Sequence, residues 1–139
     1  MKIEVETIQA PVTISVISLI GELDASNYLT LVEKAADLYQ LGTRNLLIDL
    51  SQVPFMASSG LVAFHRVALI MREESPAESE DQWNPMRAIA HEVQSESGQD
   101  RHCKLLNPQS RVAQTLQVTG FDKILAIYFD REEALASFS

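Results

Sequence analysis

Two stretches near the start of the chain, residues 3–8 (IEVETI) and 12–20 (VTISVISLI), alternate apolar and polar side chains. That period of two is the signature of strands. Gln9, Ala10 and Pro11 interrupt the pattern, which predicts an antiparallel hairpin at one edge of a sheet. Gly21 ends the second run. The segment ELDASNY then leads into a helical pattern that places Tyr28, Val32, Ala35, Ala36 and Tyr39 on one face. Asp24 and Ser26 are candidate caps for its start, and Gly42 closes it in a left-handed conformation. Leu46 to Leu50 is a short, mostly apolar run, as in strands that helices cover on both faces.

A second helix is predicted from Ser59 to about Met71, with Leu61, Phe64, Ala68 and Met71 forming a stripe. Lys104 to Leu106 follows as a strand. Asn107 is then the expected cap of a third helix, with Pro108 at its first position and Gly120 at its end. Leu125 to Phe129 is the last strand. Asp130, with Glu133 three residues on, resembles a capping box for a closing helix that bears Ala134, Leu135 and Phe138. Strands alternating with helices imply mostly parallel pairing and right-handed crossovers. The expected architecture is a single α/β domain over residues 1–139. Its mostly parallel or mixed central sheet would have about four or five strands, with about four helices.

Residues 73–102 are an insert between the second helix and the following strand, far longer than the usual connection. Eight acids (73, 74, 78, 80, 81, 92, 96 and 100) and two arginines (87 and 101) put −6 of the chain's formal charge of −8 here. The opening EESPAESED reads as disordered. Asn84 and Pro85, however, are good starting residues for a short amphipathic helix carrying Met86, Ile89, Ala90 and Val93 on one face. Such a helix either docks on its own domain or serves as a partner-binding or self-association element.

The net charge of −8 works against nucleic acid and anionic membranes as partners, because both reward positive charge. No run approaches the ~18 apolar residues of a membrane span, and the N-terminus lacks a signal-peptide pattern. One cysteine, Cys103, excludes an internal disulfide framework and agrees with a reducing compartment. A cytoplasmic protein is expected.

Catalytic patterns are missing: there is no GxSxG elbow, no Walker A loop and no GxGxxG fingerprint. His91, His102 and Cys103 lack a recognised ligand spacing and a fourth partner, so no metal is expected. His65 falls at the margin of the second helix's apolar stripe, a structural position more than that of a general base. Asp49 and Glu22 are too far apart in sequence to be read as a dyad. No enzyme and no cofactor are expected.

What remains is the corner Ser58–Ser59–Gly60, where a buried strand turns into a helix. A helix start presents unpaired N–H groups and roughly half a positive charge. A serine there is either a plain cap followed by a glycine that permits close backbone approach, or an accessible hydroxyl on an exposed βα corner. Phosphorylation would add about −1.5 to −2 charges and three acceptor oxygens at a place the helix tolerates. A partner would then sense the altered surface.

Three segments carry a resemblance to the STAS domain, the fold of bacterial anti-sigma factor antagonists and of soluble tails of sulfate transporters. GELD (Gly21 to Asp24) resembles the family's G-x-L-D before the first helix. LLIDLSQVPFMASSGL resembles its strand–loop–helix segment around the phosphoacceptor serine, and NPQSRVAQTLQVTGFDK its n-p-x-x-V-x-x-x-L-x-x-x-G-f/l-d stretch. The resemblance implies a regulatory adaptor that captures a serine kinase of the GHKL ATPase type, freeing a sigma factor or another output protein until phosphorylation releases the kinase. It places the phosphoacceptor on Ser58, with Ser59 as the alternative. Partner contacts are expected at Asp24, Ser26, Met56, Ala57, Ser58, Ser59, Gly60 and Leu61. Ala57 stands where the family usually has an aspartate. That departure, with the insert, supports a second expectation: an unswitched structural or ligand-sensing module of a larger assembly, with a homodimer built on the Met86–Val93 helix.

Overall fold

The computed structural model describes residues 1–9, 12–73, 85–94 and 98–138. Five strands form one sheet in the order β1-β2-β3-β4-β5, with β1 Lys2–Ile8, β2 Ile14–Ile20, β3 Leu46–Gln52, β4 Cys103–Leu106 and β5 Ile127–Tyr128. The hairpin is as the alternation predicts: β1 pairs antiparallel with β2, from Ile8 opposite Ile14 to Lys2 opposite Ile20. β2, β3, β4 and β5 are parallel to one another. Asn84 and most of the acidic stretch read as disordered lie outside the described residues, as do Ala10 and Pro11 of the hairpin break.

Strand alternation divides the core in two. Ile17, Leu19, Leu46, Ile48, Leu50 and Leu105 point to one face, where α1 (Tyr28–Gln40), α2 (Ser58–Met71), α3 (Pro85–Gln94) and α4 (Ser110–Val118) contribute buried or partly buried residues. Ile14, Val16, Leu47 and Leu106 point to the other, where Ala134 and Phe138 from α5 (Arg131–Ala136) and the residues after it close over them. α2 is the central helix. Its stripe of Leu61, Phe64, Ala68 and Met71 is buried as expected, but Gly60, Val62, Ala63, His65 and Val67 are buried too. A helix apolar nearly all round is one that neighbours cover on more than one side.

Several local expectations are corrected. α1 begins at Tyr28 with Asn27 as its cap residue, not with the side chain of Asp24 or Ser26. The Asp24 carbonyl accepts the Tyr28 N–H at 3.0 Å, so backbone does the capping. Leu31, absent from the expected face of α1, is its most buried large residue, alongside Ala35. α4 begins at Ser110 with Gln109 as cap, not at Asn107 and Pro108. Pro108 disfavours helical geometry in the residue before it. Asn107 takes φ +52° instead, and its N–H is spent on the Tyr128 carbonyl at 2.7 Å. β5 is shorter than expected because the Leu125 N–H turns back across the 3-10 turn Phe121–Lys123 to donate to Phe121 O at 3.1 Å, away from the sheet.

The insert helix α3 docks on its own domain. Ile89 joins the core and Val93 packs against it, whereas Met86 and Ala90 face outward. A Cβ on Gly120 would lie 2.9 Å from Val93 Cγ1, so the turn after α4 is shaped to receive this helix. Charge fastens it as well. Glu92 Oε1 lies 3.4 Å from His65 Nε2 and 3.1 Å from an Arg72 Nη. Arg72 Nε in turn lies 3.2 Å from Asp100 Oδ2, an ion pair without hydrogen-bond angles. The hydrogen bond from His65, with that from Arg72, holds the Glu92 carboxyl down at about 2 against the opposing effect of burial. These acids, which the sequence shows only as part of the insert's negative charge, tie the insert to α2. No helix among the described residues is long and apolar enough to cross a membrane.

Candidate functional site

The parallel strands end at one edge of the sheet, and the loops after them make the candidate site there. β2 runs out at Gly21, whose φ of +110° turns the chain, and its N–H reaches Gln52 O at 2.9 Å. The two loops then pair side by side. Leu23 bridges Met56 in parallel, Leu23 N donates to Phe55 O at 3.1 Å, and Ala57 N donates to Leu23 O at 2.9 Å. This bridge brings the Asp24–Ser26 turn beside the start of α2. Residues more than thirty positions apart in sequence thus share one corner.

Within that turn Asp24 Oδ1 accepts both the Ser26 N–H at 2.9 Å and the Ser26 hydroxyl at 2.5 Å. Those two bonds, the hydroxyl's first, hold the Asp24 carboxyl below the usual aspartate range. Asn27 pins the turn from behind: its Oδ1 accepts the Asp24 N–H at 2.9 Å and its Nδ2 donates to Glu22 O at 2.9 Å.

α2 starts with Ala57 as cap residue in extended conformation, φ −80° and ψ 169°, and therefore without a side-chain cap. Ser58 is the first helical residue and is exposed. Ser59 is the second, and its Oγ is buried with no hydrogen-bond partner among the described residues. The two neighbouring hydroxyls are therefore different chemical objects. Ser58 presents an accessible nucleophile in the field of the helix start, and the Ser59 hydroxyl is turned inward.

Met56, Gly60 and Leu61 are buried beneath the corner. They shape it from below, and Asp24, Ser26, Ala57 and Ser58 supply its surface. Gly60 is small for an internal reason: a Cβ there would lie 2.3 Å from Met56 Cγ and 3.0 Å from Leu23 Cδ2. Two apolar residues that sequence reading missed, Phe55 and Leu29, are 45% and 47% exposed at this edge. Phe55 carries a readable signal, an aromatic between Pro54 and Met56 in a βα loop.

The residues considered as metal ligands are dispersed in role. Cys103 is buried in β4, where burial, with the nearby Asp100 charge, pushes its thiol up. His102 is exposed, its Nδ1 3.1 Å from Asn45 Oδ1, and His91 is exposed on α3. Among the described residues no group of three such side chains is assembled.

Comparison with solved structures returns the same fold. A candidate anti-sigma factor antagonist from Thermotoga maritima superposes with a TM-score of 0.70 at 17% identity, over 98% of this chain and 93% of that one. An anti-sigma factor antagonist from Mycobacterium paratuberculosis gives 0.64 at 19% identity, over 99% and 94%. The Bacillus cell fate determinant SpoIIAA in its phosphorylated form gives 0.52 at 18% identity, over 99% and 100%. No curated protein matches the sequence. A family model for the STAS domain matches residues 2–74, from β1 through the whole of α2 and thus across the Ser58 corner. The chain belongs to the STAS domain family.

Proposed function

We propose that this chain is a cytoplasmic regulatory adaptor of the anti-sigma factor antagonist kind. In this reading it binds a serine kinase or anti-sigma protein of the GHKL ATPase type through the Ser58 corner and is released by phosphorylation at Ser58. The observation that carries the reading is the contrast at the start of α2: Ser58 is exposed at the first helical position, and the Ser59 hydroxyl is buried. A phosphoryl group on Ser58 would sit against free N–H groups and the positive end of α2, so the fold accepts it. The partner surface, formed by Asp24, Ser26, Ala57 and Ser58 with the apolar Phe55 and Leu29, would gain about two negative charges and lose its fit. The kinase catalyses the transfer: the Ser58 oxygen forms the new bond to the γ-phosphorus of ATP, ADP leaves, and this chain supplies only the accepting hydroxyl.

The test is reconstitution with a GHKL-type serine kinase and ATP, read by phosphopeptide mass spectrometry and by isothermal titration. Phosphate on Ser58, absent in Ser58→Ala, with kinase affinity reduced at least about tenfold by the modification, is the expected result. Binding without any phosphate incorporation would favour the second reading, an unswitched module of a larger assembly. Ala57 is the observation behind that alternative, since the carboxylate usual beside the acceptor is missing. Self-association through α3 would have to use Met86 and Ala90, because Ile89 and Val93 are already committed to the chain's own core.

A further inference from the structure

Lys104 is an anomaly of the sheet. It occupies β4, a strand whose four residues are all buried, and it is itself only 7% exposed. Lysine is almost never buried unless paired. Asp100, the other buried charged residue of this region, has the Arg72 guanidinium beside it. Among the described residues no carboxylate pairs with Lys104. Its Nζ donates to Ser137 O at 3.0 Å and to Ser137 Oγ at 2.9 Å, and it lies 4.7 Å from the Phe138 ring centre and 5.8 Å from that of Tyr128. All four are neutral. The carbonyl end of α5 offers only the partial negative charge of a six-residue helix. An ammonium desolvated with so little compensation is costly unless an anion completes its surroundings.

The space for one is present. Lys104, Tyr128 and Phe138 line a cavity of about 470 Å³, together with Asn45, Arg101 and His102. That volume lies within the usual range of small-molecule sites. Asp100 also borders it, but both its oxygens are engaged elsewhere. Oδ1 accepts the N–H groups of His102 at 2.7 Å and Cys103 at 2.9 Å, and Oδ2 faces Arg72. The side chains lining the cavity therefore carry two positive charges, Lys104 and Arg101, against the single negative charge of Asp100, which is turned toward Arg72 and the His102 and Cys103 amides, a net positive lining in a chain of net −8. Asn45 and His102 precede β3 and β4, so the cavity sits at the opposite end of the parallel strands from Ser58.

We propose that this cavity is a binding site for a small organic oxyanion, a carboxylate or phosphate group carried on an aromatic or apolar body. Lys104 supplies the ionic contact and Arg101 the entry charge. The rings of Tyr128 and Phe138 form the apolar walls. Occupancy would be sensed at the end of the domain remote from the switch corner, and the site does not depend on whether Ser58 is modified.

The test is a heteronuclear NMR titration of the full chain with inorganic phosphate and with phenyl phosphate, at ionic strength matched by sodium chloride. Saturable shifts at Lys104, Tyr128, Ser137 and Phe138 are expected, with phenyl phosphate binding roughly tenfold tighter than phosphate through its ring. Lys104→Met, which keeps the apolar stem, should weaken both by about tenfold or more. Arg101→Gln, at an exposed position, serves if the lysine variant does not fold, and should weaken both severalfold. Equal affinity for the two probes would overturn the aromatic part of the assignment. Absence of saturable shifts with both probes, or unchanged affinity in a folded Lys104→Met or Arg101→Gln protein, would overturn the site.

Discussion

Met56 occupies the space that a side chain on Gly60 would need: a methyl placed there would meet Met56 Cγ at 2.3 Å and Sδ at 2.7 Å. Gly60 is helical, with an ordinary negative φ, so the requirement is packing and not backbone strain. Met56 is also the residue that bridges Leu23 and holds the Asp24 turn against α2. Gly60→Ala should therefore destabilise by roughly 1–3 kcal/mol through overpacking. Met56→Ala in the same chain should recover part of that loss, with a coupling of at least about 0.5 kcal/mol. Urea unfolding of the four proteins of this cycle gives the measurement. Simple additivity would show that the two residues do not compete for the same space.

The neighbouring serines should respond in opposite ways. Ser58→Ala removes an exposed hydroxyl and should change stability by less than about 0.5 kcal/mol. Ser59→Ala removes a buried oxygen that has no partner among the described residues, so stability should hold or rise by about 1 kcal/mol. Thermal unfolding of both variants decides it. A loss above about 1 kcal/mol in Ser59→Ala would mean that the hydroxyl is satisfied in solution.

Hydrophobic periodicity sufficed for the order of strands and helices, because a parallel sheet with helices on its faces demands a distinctive run of apolar residues in each element. The Ser58 corner was readable for a related reason: two hydroxyls and a glycine stand where a strand pattern gives way to a helix pattern. What the pattern could not reveal depends on distant partners. The role of Asn107 is set by the Tyr128 carbonyl twenty-one residues on. Glu92 looks like one more acid in an acidic stretch, and only the fold brings it to His65 and Arg72. The inward turn of the Ser59 hydroxyl is likewise a property of how α2 seats on its neighbours. Lys104 was read simply as the start of a strand, and nothing local to it shows that the strand is buried over its whole length.

Ala57 offers a gain-of-stability test. Its backbone is extended, as a helix cap requires, but its side chain cannot accept an N–H from the first turn of α2. Ala57→Asp should supply that acceptor and place a carboxylate at the positive end of the helix, stabilising by about 1 kcal/mol. The melting temperature should rise by roughly 3–5 °C for a domain of this size. In the proposed function the same change restores the acid beside Ser58, so the rate of phosphoryl incorporation should rise with it. A higher melting temperature with no change in rate would separate the helix cap from any part in kinase recognition.

The docking of α3 should be sensitive to acid through Glu92. The carboxyl falls from its ordinary 4.5 to about 2 in the folded chain, chiefly through the hydrogen bond from His65 and then through Arg72. A group with a depressed folded value contributes stability that is present above its unfolded value and is lost as pH falls through the folded one. The contribution of Glu92 should therefore be whole above about pH 4.5 and disappear between there and about pH 2. Glu92→Gln removes the charge at every pH. Because the pair is partly open to solvent, the cost at neutral pH should be about 1 kcal/mol, a fall of roughly 3–5 °C in melting temperature. The difference between wild type and variant should close as pH drops through that window. Amide hydrogen exchange should place the lost protection in residues 85–94 and leave β3 and β4 unaffected. A difference that persists unchanged at pH 2 would show that packing by Ile89 and Val93, and not the ion pair, holds the insert helix in place.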